Sequence, residues 1–385
     1  TRHWHSPRRQ SSCSQETNKK LPRTEQPARS TNKLRACVSA APSACSSTPA
    51  GALDLPPRHT MSSAASRAPQ RFDAASAAHR QWLSRIKCFL FDIDGVIHTT
   101  AGAVPGAASA LSALRQAGVG VRFLTNNAGK SPAMVAAEFE KLGIDASTSE
   151  ITTSACVAGD YLSSKGVEGS YVYVIGEPAL MSMLSERAGV RPIGGPDDAG
   201  KSKRTLQSEG HSIATLDPPA GDVSAVVVGA DGDISYYKVA KAAAYLLGNP
   251  RCLFVSTNPD PAYSFAPRAG GTAATLAPAG GVWARCVAMT SGREPDIVCG
   301  KPSRSLGKHM LSAYGLDPAT TCMVGDRVDT DIEFGRAAGM HTLFVESGTT
   351  TAEAAAAAGP EQRPDFIAES IAVLEAALVG EAASD

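Results

Sequence analysis

The 385-residue chain lacks the features of a zinc protein, a disulfide scaffold or a helical membrane protein. None of its nine cysteines (13, 37, 45, 88, 156, 252, 286, 299 and 322) stands in a Cys-x-x-Cys pair or in a Cys/His cluster at zinc spacing. Their number is odd and the chain is not small. Free thiols in a reducing compartment are therefore expected, most of them acting as small buried hydrophobes. No run of about 18 apolar residues occurs, so no membrane span is expected. There is no internal repeat. Net charge is absent too, with 37 basic side chains against 37 acidic ones.

That balance conceals an asymmetry. Through Arg85, fourteen Lys and Arg face four acids, Glu16, Glu25, Asp54 and Asp73. The remaining body is acidic by about ten charges, which argues against a nucleic-acid partner. Residues 1–85 are rich in Ser, Ala, Arg and Pro and show neither helical nor strand periodicity. This acid-poor head has the composition of an organelle transit peptide. A disordered tail, or a leader ahead of a start at Met61, are the competing readings.

From Arg85 onward strand-like and helix-like stretches alternate. Short apolar runs at 88–93 (CFLFDI), 121–126, 251–258, 296–300, 321–326 and 341–346 read as buried parallel strands, with helices at 105–117 and 132–142. The pattern predicts an α/β fold, a parallel-sheet core with helices on both faces, built from residues 86–154 and 251–385. Two further strands, 171–176 and 223–229, with helices at 179–188 and 236–247, predict an inserted α/β domain over 155–250. Residues 194–212 read as an exposed loop, and the Ala-rich stretch after Thr351 as a helix or linker.

Four strand ends carry polar groups, and in parallel sheets ligands gather at the carboxyl edge. The first is Asp92-Ile93-Asp94-Gly95. One carboxylate here can attack a phosphoryl group and its neighbour can act as acid and base, although a turn or cap would also use these residues. The second is Thr125-Asn126-Asn127, where a hydroxyl and backbone amides can bind phosphate oxygens, or simply form a turn. The third is Lys301, placed to neutralise a phosphate and the attacking acid, with an ordinary surface lysine as the alternative. The fourth is Gly325-Asp326-Arg327-Val328-Asp329-Thr330-Asp331. Three acids in six residues suit a hard cation such as magnesium; Asp329 is read instead as a helix cap.

In this order, the phrases FDIDGVI, FLTNNAGKS, YVIGE, GGPDD, AVVVG, CLFVSTNPD, GKPS and MVGDRVDTDI resemble the haloacid dehalogenase superfamily of aspartate-nucleophile phosphatases. The likeness spans about Lys87 to Thr350 and is similar to the branch of phosphoglycolate, 4-nitrophenyl and pyridoxal phosphate phosphatases. It implies that the inserted domain is a cap. It further implies Asp92 as nucleophile, Asp94 as general acid and base, and Thr125 with the amides of Asn126 and Asn127 on the phosphate. Lys301 would bridge phosphate and nucleophile. Mg2+ would sit on Asp92, the Asp94 backbone carbonyl and Asp326, with Asp331 behind them.

The chain departs from the branch at Ala128-Gly129, where relatives often have a small polar residue, and at Asp233, where pyridoxal phosphate phosphatases resemble one another in a histidine. Asp233 is expected to cap the helix starting near Ser235. The resemblance implies hydrolysis of a small phosphorylated metabolite, 2-phosphoglycolate, in a chloroplast (alternatively the cytoplasm), by a homo-oligomer paired through the cap. A broader small-ester phosphatase, a phosphoaspartate signalling module using Asp92, and an inactive scaffold are the rival readings.

Overall fold

A computed structural model describes residues 68–265 and 275–382. The core is a seven-stranded sheet in the spatial order Gln70–Arg71, Phe366–Ala368, His341–Val345, Thr321–Gly325, Cys88–Phe91, Gly120–Thr125 and Ile151–Thr153, parallel throughout. Every side chain of Cys88–Phe91 is buried, because helices cover both faces. Alternation divides them: Phe89 and Phe91 join Phe123 and Phe139 on one face, while Cys88 and Leu90 join Leu124 and Met323 on the other. Burial of each such phenylalanine contributes about 1.5–3 kcal/mol, which makes this strand the anchor of whatever follows it.

The second sheet is also parallel, in the order Ile297–Val298, Leu253–Ser256, Val223–Val228, Tyr171–Ile175 and Arg191–Gly194. Here the sequence reading needs correction. The runs at 251–258 and 296–300 were expected to rejoin the core near residue 251, yet Val255 pairs with Ile297 and Val227 inside the inserted domain. The cap sheet therefore reaches 298 instead of ending at 250. Both sheets are buried on both faces, so an apolar run gives no sign of which one it enters. One apolar cluster joins the two bodies, with Leu90 and Met323 of the core and Val174 and Val227 of the cap as members. The helices Ser154–Ser164 and Pro178–Ala188 contribute Leu162 and Leu184 to it.

Three smaller expectations also change. The head was expected to stay outside the fold through residue 85, but Gln70–Arg71 pairs with Phe366 and Ile367 at the sheet edge. Phe72, Leu83 and Ile86 are buried behind it. A two-residue strand carries no periodicity to read. Residues 1–67, and with them most of the transit-peptide reading, lie outside the described residues. The segment 194–212 is not wholly exposed loop: it contains the helix Lys203–Ser208, and buried Asp198 accepts hydrogen bonds from the Tyr173 hydroxyl and Lys201 Nζ, each at 2.7 Å. The helix Tyr236–Gly248 is capped by Ser235, whose side chain accepts from Lys238 N, while Asp233 is exposed.

The Ala-rich stretch forms the helix Ala352–Ala357, capped by Thr351. Among the described residues all six cysteines are free and five are buried. No described helix is long and apolar enough to cross a membrane.

The cap holds a buried ion pair, Lys238 Nζ to Asp231 at 2.7 and 2.9 Å, with Asp231 also accepting from Gly176 N and Asp233 N. Removing one partner leaves a buried charge without its counter-ion. Lys238→Met is expected to cost about 3–5 kcal/mol, measured as a lowered urea midpoint. A loss within about 1 kcal/mol, the range of exposed pairs, would contradict this account.

Candidate active site

The core chain leaves Cys88–Phe91 toward Gly120–Thr125 on one side and returns through Thr321–Gly325 on the other, so a crevice opens at the carboxyl ends of these strands. Asp92, Thr125 and Asp326 each stand at one of those ends. Asp92 stays in register because its N–H donates to Val324 O at 2.9 Å. Lys301 arrives from the other sheet, three residues past Ile297–Val298. The expectation that a core strand delivers it is thus corrected. The helix Arg304–Tyr314 follows, with Ser303 as its N-cap.

The ammonium of Lys301 is enclosed by protein. It donates to Asp92 Oδ1 at 2.5 Å and to the Leu124 carbonyl at 3.0 Å, and lies 2.7 Å from Asp331 Oδ1. Burial alone would lower its pKa, but Asp331 and Asp92 together hold it above the usual lysine range. Burial pushes the Asp92 carboxyl well above the carboxylate range; Lys301 opposes this, and the nearby Asp331 and Asp326 reinforce it. Asp326 rises to about 6, first through burial and then through the charge of Asp331.

Asp92, Asp326 and Asp331 present carboxylate oxygens within 4.8 Å of one another. Asp326 Oδ2 accepts from Thr349 N at 2.7 Å and Thr349 Oγ1 at 3.0 Å, while its Oδ1 is buried with no partner. Three buried acids share one lysine, and a buried carboxylate oxygen without a donor is costly. The donor set is all oxygen, which fits a hard divalent cation. Gly95 makes this packing possible: its φ is +87°, and a Cβ there would meet Asp326 Oδ2 at 2.7 Å.

Asp94 differs from these acids. Its side chain is 69% exposed and its Oδ1 lies 3.9 Å from His98 Nε2, so it stays outside the buried cluster. Buried Thr125 accepts from Asn127 N at 3.1 Å, which means that the Asn127 amide expected to bind phosphate is engaged by Thr125 Oγ1 here. The Asn126 side chain brackets the backbone of Lys301. Asp331 pairs with Lys301 and accepts from Arg327 N at 3.1 Å, nearer the centre than its expected supporting place. Asp329 is no helix cap; it is exposed and ion-paired with Arg327.

Sequence reasoning assigned no role to Asp260, which binds both Asn126 and Arg327. The one available signal was its place in Asn258-Pro259-Asp260, just past a strand.

A family model for haloacid dehalogenase-like hydrolases matches residues 89–190, and a second, HAD-hydrolase-like, matches 298–374. Phosphoglycolate phosphatase 1A, chloroplastic, of Arabidopsis thaliana is 35% identical over 76% of this chain and 77% of its own. Glycerol-3-phosphate phosphatase of Homo sapiens is 38% identical over 77% of this chain and 92% of its own. Among solved structures, a glycerol phosphate phosphatase from Mycobacterium tuberculosis in complex with calcium is 28% identical and superposes with a TM-score of 0.61 over 76% of each chain. The same enzyme in complex with magnesium gives 0.60 at 28% identity, over 76% and 77%. Since these likenesses take in the core, the cap and the strand ends that carry the acids, the chain belongs to the haloacid dehalogenase-like hydrolases, in the α/β-capped branch of small-molecule phosphatases.

Proposed function

We propose that the chain is a magnesium-dependent phosphomonoesterase that hydrolyses 2-phosphoglycolate to glycolate and phosphate through an aspartyl phosphate. The observation that carries the reaction is the pairing of buried Asp92 with Lys301 while Asp94, two residues on, stays exposed outside the buried cluster. An Asp92 carboxylate oxygen attacks phosphorus and the ester P–O bond breaks. Asp94, protonated, gives its proton to the leaving alkoxide. Asp94 then takes a proton from water, whose oxygen attacks the acyl phosphate; the P–O bond to Asp92 breaks, freeing phosphate and restoring the nucleophile.

Lys301 screens Asp92 from the incoming phosphate and Thr125 offers a hydroxyl to one of its oxygens. Mg2+ held by Asp92, Asp326 and the Asp94 carbonyl would neutralise the charge gathered between phosphate and acids. Asp331 keeps Lys301 in place.

The choice of substrate is supported by the chloroplastic Arabidopsis relative and by the basic, acid-poor head, which also supports a plastid location. Glycerol 3-phosphate is the second reading, favoured by the 38% identity to the human enzyme. Phosphate release from 2-phosphoglycolate, glycerol 3-phosphate, pyridoxal phosphate and 4-nitrophenyl phosphate separates them. The expected result is fastest turnover of 2-phosphoglycolate, loss of all turnover with EDTA, and background rates for Asp92→Asn. Equal rates across the panel would remove the substrate assignment, and turnover surviving in Asp92→Asn would remove the mechanism.

The acid cluster also predicts how stability responds to pH. Burial raises the Asp92 and Asp326 pKa values, so the metal-free folded protein holds protons that the unfolded chain has released. The Asp326 contribution to stability is complete below the unfolded carboxylate pKa of about 4 and is lost as pH rises through about 6. Thermal scans in EDTA should show a falling Tm across that window. Magnesium should raise Tm well above pH 6 and have little effect near pH 4. A magnesium shift equal at both ends would contradict a cation site on these acids.

A further inference from the structure

Cap and core meet in a relay of hydrogen bonds that ends on the backbone of Lys301. Asn126 is its centre. Its Oδ1 accepts from Lys301 N at 2.7 Å and its Nδ2 donates to Lys301 O at 3.1 Å, so one amide side chain reads both backbone groups of the lysine. The approach is close: a Cβ on Gly300 would come within 2.7 Å of Asn126 Oδ1. The same Nδ2 donates to Asp260 Oδ2 at 2.9 Å. Asp260 follows the cap strand Leu253–Ser256, and its side chain is only 13% exposed. Its other oxygen accepts from Arg327 Nη1 at 3.1 Å, and Arg327 is the N-cap of the short helical segment Val328–Ile332.

The backbone around Asp260 is held in turn. Asp260 N donates to Asn258 Oδ1 at 3.1 Å, Asn258 Nδ2 donates to Asn126 O at 2.8 Å, and Gly281 N donates to Asp260 O at 3.0 Å.

We infer that Asp260 is a positioning residue for the hydrolysis, a cap-borne carboxylate that fixes the orientation of Asn126 and, through it, the placement of Lys301. An asparagine amide has two orientations related by a half-turn, which exchange its acceptor and its donor. In the flipped orientation an NH2 would confront the Lys301 N–H and an oxygen the Lys301 carbonyl. Ionised Asp260 accepts hydrogen bonds and donates none, so its face of Asn126 must carry the NH2 group. The carboxylate thereby selects the orientation that clamps Lys301. Its second oxygen, engaged by Arg327, keeps it aimed. The cation beside the nucleophile is thus in register only when the cap segment Asn258–Asp260 is seated on the core.

This inference rests on the phosphatase reading, because only there does Lys301 have a reaction to serve. The test uses the full chain, magnesium chloride and 4-nitrophenyl phosphate, with wild type, Asp260→Asn, Asn126→Ala, the double variant, and Asp329→Asn as control. Asp260→Asn replaces an acceptor by a group of the same shape that also donates. Its kcat should fall roughly 10- to 100-fold, the size of effect that a small misplacement of a reacting group produces. KM should change by less than about threefold, because Lys301 acts most strongly as charge shifts in the transition state.

Adding Asp260→Asn to Asn126→Ala should cost nothing further, since the route through Asn126 is already gone. Asp329→Asn removes the exposed partner of Arg327 and should keep the wild-type kcat. If Asn126→Ala does not fold, Asn126→Asp takes its place in the cycle; it deletes the donor that Asp260 accepts while keeping an acceptor for Lys301 N. A wild-type kcat in Asp260→Asn, or two losses that multiply in full, would overturn the inference while leaving the phosphatase reading intact. Wild-type protein that releases no phosphate would overturn that reading and take the inference with it.

Discussion

A lysine ammonium enclosed by protein is costly unless carboxylates surround it, and Lys301 has Asp92 at 2.5 Å and Asp331 at 2.7 Å. A unit-charge pair near 4 Å at an effective dielectric of about 20 is worth roughly 4 kcal/mol, and Lys301 has two such partners at shorter range. That attraction keeps the group charged against burial, and it ties together three segments far apart in sequence. Asp92 follows a fully buried strand, Asp331 lies in the short helical segment Val328–Ile332 after Thr321–Gly325, and the third contact is the Leu124 carbonyl. The arithmetic of charge then sets the chemistry. One lysine among Asp92, Asp326 and Asp331 leaves the cluster acidic, and the unpartnered Asp326 Oδ1 faces that surplus. A bare phosphate dianion would be repelled; a phosphate accompanied by a divalent cation would not.

The two parallel sheets supply the frame. Residues just past the cap strands meet residues just past the core strands: Asp260 reaches Asn126 and Arg327, and the side chain of Glu177 lies against Gly129. The carboxyl edges thus face one another across the crevice. Glu177 also accepts from Gly232 N, and Asp231 holds Gly176 N and Asp233 N, so the cap loops above the crevice are braced by carboxylates. Because an apolar cluster runs from Leu90 and Met323 into Val174 and Val227, the cap is packed onto the core by burial as well as by polar contacts.

Much of the site was legible because strand ends are legible. Asp92, Thr125 and Asp326 each follow a short apolar run, and a parallel sheet brings such ends together whatever their separation in sequence. Lys301 was found for the right residue and the wrong strand, since Ile297–Val298 pairs in the cap sheet. Periodicity reports burial and is silent about which neighbour a strand finds. Asn126 was assigned a phosphate-binding amide, whereas its side chain holds the lysine backbone; Asp260 received no role at all. Their mutual contact spans 134 residues of sequence and that of Asn126 with Lys301 spans 175, and no local rule encodes either. Edge strand Gln70–Arg71 escaped for the opposite reason, being too short to carry any pattern.

The same physics separates reaction from selectivity. Burial raises the pKa of Asp92, yet under the proposed mechanism that carboxyl must be ionised to attack. Lys301 alone does not restore it to the carboxylate range, because burial, reinforced by Asp331 and Asp326, pushes the other way. Under the proposed mechanism a divalent cation would serve the nucleophile as well as the phosphate, and the acids that would hold it are buried core residues. Asp94 is exposed, and the cap residues Asp233 and Glu177 are held within the cap, Asp233 N donating to Asp231 and Glu177 accepting from Gly232 N. Under the proposed mechanism, changes in those loops would leave the hydrogen bonds of Lys301 in place, provided that they spare the cap segment Asn258–Asp260, which reaches back to Asn126.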